Sequence, residues 1–132
     1  MKQITKDWLE TAKLDLEAIA HIIQNDRLTG HVAFYAQQVI EKSLKAIIEE
    51  SGGRVPKIHS LSKLFELCAA LISIPINEDN IIALDSLYIE SRYPGEFGLL
   101  PEGKPNQEQA KIFYKFAQNI YETVKSHLEQ NK

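Results

Sequence analysis

A chain of 132 residues, 44% hydrophobic and 25% charged, fits one domain with a sizeable core of its own, which excludes a disordered polymer and any need for metal or disulfide staples. Its formal net charge of −3 excludes non-specific nucleic-acid binding by the whole surface, because counterion release needs a clustered excess of Lys and Arg. One cysteine, Cys68, excludes an internal disulfide, and its setting, LFELCAALI, reads as a buried, inert thiol rather than a reactive nucleophile.

The first residues, MKQITKDWLE, lack the apolar core of a signal peptide, and no apolar run approaches the roughly twenty residues that span a bilayer. The expectation is a cytoplasmic protein without a membrane segment. From Thr5 to Asn25, Ile4, Trp8, Ala12, Leu16, Ile19 and Ile23 keep a three-to-four spacing and predict a first amphipathic helix. Turn-forming residues from Asn25 to Gly30 break the pattern, and a short link makes the next helix an antiparallel neighbour.

That second helix runs from about His31 to Ser51. Ala33, Ala36, Ile40, Leu44 and Ile47 form an apolar stripe, while Tyr35, Gln38, Lys42, Lys45 and Glu49 form a polar one, which reads either as a solvated face or as part of a site. Gly52-Gly53 supplies a helix stop and Pro56 bars continuation. Ser60 is a good cap for a third helix with Leu61, Leu64, Phe65, Cys68, Leu71 and Ile72 as its buried face, ended by Pro75.

Asn77 caps a fourth helix whose Ile81, Leu84, Leu87 and Tyr88 face inward, finishing near Arg92 because Pro94 pushes Tyr93 towards an extended conformation. Tyr93 to Pro105, with three Pro and three Gly, is irregular, and its Phe97, Leu99 and Leu100 suggest packing on a second subunit. The last helix opens with Asn106 and Gln109 as a capping box and carries Ala110, Phe113, Ala117, Ile120, Val124 and Leu128 on one face. No segment shows a period of two. The fold class is therefore all-α, an up-and-down bundle of about five helices in one domain over residues 1–132.

No phosphate loop, HExxH, CxxC or EF-hand loop is present, and His21, His31, His59 and His127 stand apart from other ligand types, so neither a metal nor a cofactor is expected. Between Lys42 and Lys63 there are five bases (Lys42, Lys45, Arg54, Lys57, Lys63) against two acids, Glu49 and Glu50. In an up-and-down bundle the second and fourth connections share one pole. Parity therefore predicts that Arg54, Lys57 and His59 meet Arg92 and Tyr93, joined by Lys45 and Glu49 near the end of the second helix, as an anion or phosphate site for which Lys42 is a further candidate. Arg offers a planar fork for phosphate, and an imidazole exchanges a proton near neutral pH. Asp85, Tyr88 and Arg92 fall at spacings of three and four, so the carboxylate and the phenol would orient the guanidinium. Each residue also has a plain structural alternative: a turn contact for His59, an ion pair with Asp85 for Arg92, packing for Tyr88 and Tyr93, solvation for the lysines.

The series AFYAQQVIEKSLKAI, PKIHSLSKL and LDSLYIESRYP resembles the HEPN family, the higher-eukaryote and prokaryote nucleotide-binding domains, over nearly the whole chain. The resemblance implies an all-α, HEPN-like homodimer that binds nucleotide or RNA, often beside a partner minimal nucleotidyltransferase in a toxin–antitoxin system. In members that are ribonucleases, an Arg is followed four to six residues later by His. Here SRYPGEFGLLP supplies Arg92 but no histidine in the next six positions, and Arg54 with His59 keeps that spacing only after the second helix. Two functions follow from the resemblance: a non-catalytic binding module, or a metal-independent ribonuclease in which His59 and Arg92 replace the local pair. A purely structural helical adaptor is the third alternative.

Overall fold

The computed structural model describes residues 1–90 and 104–130, and among them every regular element is helical. Five α-helices follow in order: α1 (Gln3–Ile22), α2 (Thr29–Glu50), α3 (Leu61–Cys68), α4 (Glu78–Glu90) and α5 (Gln107–Gln130), with a short 3-10 turn (Asp26–Leu28) between the first two. The expected all-α bundle is the fold found.

The helix ends obey their local signals. Gly52, at φ 84°, closes α2: its N–H donates to the Glu49 carbonyl and that of Gly53 to the Ile48 carbonyl, the double bond of a Schellman stop. Ser60 Oγ accepts from the Lys63 amide at the start of α3, and Asn77 Oδ1 accepts from the Asn80 amide at the start of α4. At α5, Asn106 and Gln109 exchange side-chain to backbone bonds of 2.9 and 2.8 Å, a complete capping box.

α2 is the axis of the bundle, packed against α1, α3, α4 and α5. Val32, Ala36, Val39, Ile40, Leu44 and Ala46 are wholly buried, and from Val32 to Glu50 no residue is exposed. The reading of the polar stripe as a solvated face is thereby overturned. Lys45 is buried, and Tyr35, Gln38, Lys42 and Glu49 are partly so, because four neighbours leave no broad arc of the helix to water.

Two apolar assignments also change. On α1, Ile4 is exposed and the adjacent Thr5 is buried instead, its hydroxyl donating to Glu50 Oε1 at 2.9 Å, so this end of α1 is tied to the end of α2. α3 stops at Cys68, short of the expected span, which leaves Leu71 exposed while Ile72 joins the core.

Cys68 is 1% exposed, and burial pushes its thiol from the ordinary 9.0 up to about 11. The folded chain therefore keeps a proton that the unfolded chain releases. Cys68 is expected to contribute a decline in stability between pH 9 and about 11, an increment that Cys68→Ala removes when urea denaturation is compared across that range, while the Tyr121 phenol, also raised by burial, keeps a decline of its own.

The connection after α2 does not stay at the pole. Residues 52–60 run back beside α2, with Val55 and Ile58 packed on the core, until the His59 carbonyl accepts a 2.9 Å bond from Gln37 Nε2. Gln37 lies 13 residues (50 − 37) before the end of α2 at Glu50, a rise of about 20 Å. His59 thus sits against the flank of α2, which corrects its placement at a pole.

Candidate functional site

Gln37, Glu41 and Lys45 follow one another at intervals of four along α2, so their side chains line one buried strip of that helix. Glu41 is the hub. Its carboxylate accepts from Gln37 Nε2 at 3.1 Å and from Lys45 Nζ at 3.0 Å, and His59 Nδ1 lies 3.1 and 3.2 Å from its two oxygens. The Glu41 and Lys45 side chains are only 6% and 7% exposed, whereas the His59 imidazole is 47% exposed. Lys45 Nζ also lies 5.7 Å from the centre of the Trp8 ring, within cation–π range.

An aromatic wall adjoins the histidine. The Tyr88 ring of α4 lies 5.2 Å from the His59 ring and stacks on Phe34 of α2 at 5.8 Å and an interplanar angle of 7°. Tyr35 meets Phe34 edge-on at 6.1 Å. The half-exposed imidazole on this hub can accept a hydrogen bond, or move a proton, at Nε2, the nitrogen that does not face Glu41.

Of the predicted site residues, His59 meets Tyr88 near the end of α4 and shares Glu41 with Lys45. Lys42 pairs with Asp15 of α1 at 2.7 Å, and Lys45 with Glu41, so both ammonium groups are already held by carboxylates. Arg54 and Lys57 are exposed on the segment that ends at His59. Arg92 and Tyr93, like Phe97, Leu99 and Leu100, lie outside the described residues, as does the expected orientation of Arg92 by Asp85 and Tyr88. What is described of Asp85 is a different role: Oδ1 accepts the Leu61 amide at 2.8 Å, and Oδ2 accepts the Ser62 amide and hydroxyl, each at 3.2 Å. It thus faces the first turn of α3, where a negative charge meets unpaired amides. Asp85→Ala is expected to lower stability by about 1–2 kcal/mol in urea denaturation, Asp85→Asn by less.

Glu41 and Gln37 are the residues that sequence reading missed. Their signal was two polar residues four apart on the helix, four and eight before Lys45, but nothing in the spacing connects them to an imidazole 18 positions away. A groove of about 570 Å³ lies elsewhere, between the start of α4 and α5, lined by Ile76, Asn80, Ile112, Phe116 and neighbours. Among the described residues no group of His, Cys, Asp and Glu is arranged to hold a metal ion, and no helix is long and apolar enough to cross a membrane.

Compared with known families, residues 5–127 match the profile described as HEPN domain. The chain belongs to the HEPN family. No curated protein and no solved structure matches it. As a HEPN domain it is a nucleotide- or RNA-related module, and the match covers the strip Gln37, Glu41 and Lys45 as well as His59. The HEPN resemblance noted at AFYAQQVIEKSLKAI and PKIHSLSKL falls on the two segments that carry this hub.

Proposed function

We propose that this HEPN domain is a homodimeric nucleotide-binding and interaction module that acts with a partner minimal nucleotidyltransferase in a toxin–antitoxin type system. The observation that carries the reading is the half-exposed His59 imidazole, anchored on a buried carboxylate at the end of a segment bearing Arg54 and Lys57. We assign nucleotide recognition to Arg54, Lys57 and His59, together with Arg92 and Tyr93, with the cations on phosphate and His59 on a hydroxyl donor; Lys42 and Lys45 support it from within their ion pairs. The dimer is supported by exposed Ile76, Ile82 and Ile112, with Ile76 lining both the groove beside α5 and the one beside α3.

Calorimetric titration with a nucleotide panel tests the binding. A ribonucleotide should bind, and His59→Ala or the pair Arg54→Ala and Lys57→Ala should weaken it at least tenfold with the fold retained. Absence of binding by every nucleotide sinks the reading. Sedimentation should give a dimer at micromolar concentration, and a single 15.0 kDa species would count against it.

A second reading, a metal-independent ribonuclease using Arg92 and His59, is favoured by one detail: with Nδ1 against Glu41, Nε2 is left to serve as general base or acid. RNA cleavage lost in both Arg92→Ala and His59→Ala would establish it over the binding module.

A further inference from the structure

His59 is gripped twice by the same strip of α2. Gln37 Nε2 holds its backbone carbonyl at 2.9 Å, and Glu41 faces its Nδ1 at 3.1 and 3.2 Å. The two grips act on different bonds, one fixing where the residue sits and the other how its ring turns. Neither is explained by the needs of Glu41. That carboxylate already has the Lys45 ammonium at 3.0 Å and the Gln37 amide at 3.1 Å, whereas an imidazole 47% exposed has water available to it. A third donor adds little to the carboxylate but removes the rotational and tautomeric freedom of the ring.

We propose that Glu41 is a positioning residue for His59: it holds the neutral imidazole with its proton on Nδ1, so that Nε2 presents a lone pair outward. A carboxylate only accepts hydrogen bonds, and Nδ1 within 3.2 Å of both oxygens must donate. The neutral ring has one N–H, so Nε2 becomes the acceptor. What Nε2 then meets in a bound nucleotide is a donor, for which a ribose hydroxyl is the fitting chemistry. Lys45 keeps the carboxylate charge balanced inside the bundle, with the Trp8 ring 5.7 Å from its Nζ. That Nε2 faces a ligand rests on the function proposed above; the tautomer does not.

Nitrogen-15 NMR of the imidazoles in the whole, ligand-free chain at about pH 8.5, two units above the ordinary imidazole value, reads the tautomer directly. His59 should show a protonated Nδ1 and a bare Nε2, and the exposed His21 serves as internal reference. A wild-type His59 protonated mainly on Nε2 overturns the proposal without any variant. In the double substitution Glu41→Leu with Lys45→Met, which removes the carboxylate and its counterion together, the Nδ1–H preference should be lost; its survival in that folded variant also overturns the proposal. Titration of the wild type with a ribonucleoside diphosphate should move the Nε2 resonance while Nδ1 keeps its proton. Transfer of the proton from Nδ1 to Nε2 on binding would sink the positioning role. No response at either nitrogen counts against the function proposed above, while the tautomer is judged on the free protein.

Discussion

Glu41→Ala should destabilise the domain by about 3–5 kcal/mol, the usual cost of removing one member of a buried ion pair. The substitution leaves the Lys45 ammonium, whose side chain is 7% exposed, without its carboxylate, and deprives Gln37 Nε2 and His59 Nδ1 of a shared acceptor. Against a total of about 5–15 kcal/mol for a domain, the loss would take a large part of the margin. The pairing itself adds much less than this figure suggests. Glu41→Leu combined with Lys45→Met, apolar residues of similar volume, should come within about 1–2 kcal/mol of wild type, because desolvating both charges offsets most of their attraction. Urea denaturation of the three chains at neutral pH decides the matter. A single substitution as mild as the double would mean that water reaches the pair.

The next largest effect is expected at Leu44→Ala, about 3–5 kcal/mol, with the melting temperature lower by roughly 10–15 °C. Leu44 is wholly buried on the central helix, one residue before Lys45, and its carbonyl accepts from Cys68 Sγ at 3.5 Å. The cavity would open in the core around α2, and neighbours held by four surrounding helices cannot collapse into it readily. Thermal unfolding by circular dichroism measures the change. A loss under about 1 kcal/mol would show that the surrounding helices move inward to fill the space.

The helix ends were legible because each depends on neighbours in sequence. Ser60, Asn77, Asn106 with Gln109, and Gly52-Gly53 act through bonds that span only a few residues. Periodicity also carried the apolar faces of α2 and α5, whose Ala36, Ile40, Leu44, Ala117, Ile120 and Val124 are all in the core. It misplaced the first buried residue of α1 by one position, since Ile4 outranks Thr5 in hydropathy and the hydroxyl partner that rewards burying Thr5 is Glu50, 45 residues away. The candidate site was legible only in part: His59 was singled out, whereas Glu41, the group that holds it, was not.

From residue order alone came the all-α class, the five helices, the caps of α3, α4 and α5 with the stop of α2, and the family, because periodicity, caps and stops act within a few turns of chain. Tertiary structure decided which polar residues of α2 are buried, where the segment 52–60 runs, and that Glu41 lies beneath His59. Those outcomes depend on how many helices surround α2 and at what height a returning strand of chain meets it. Such distances are set by the packing of the whole core, and no local spacing encodes them.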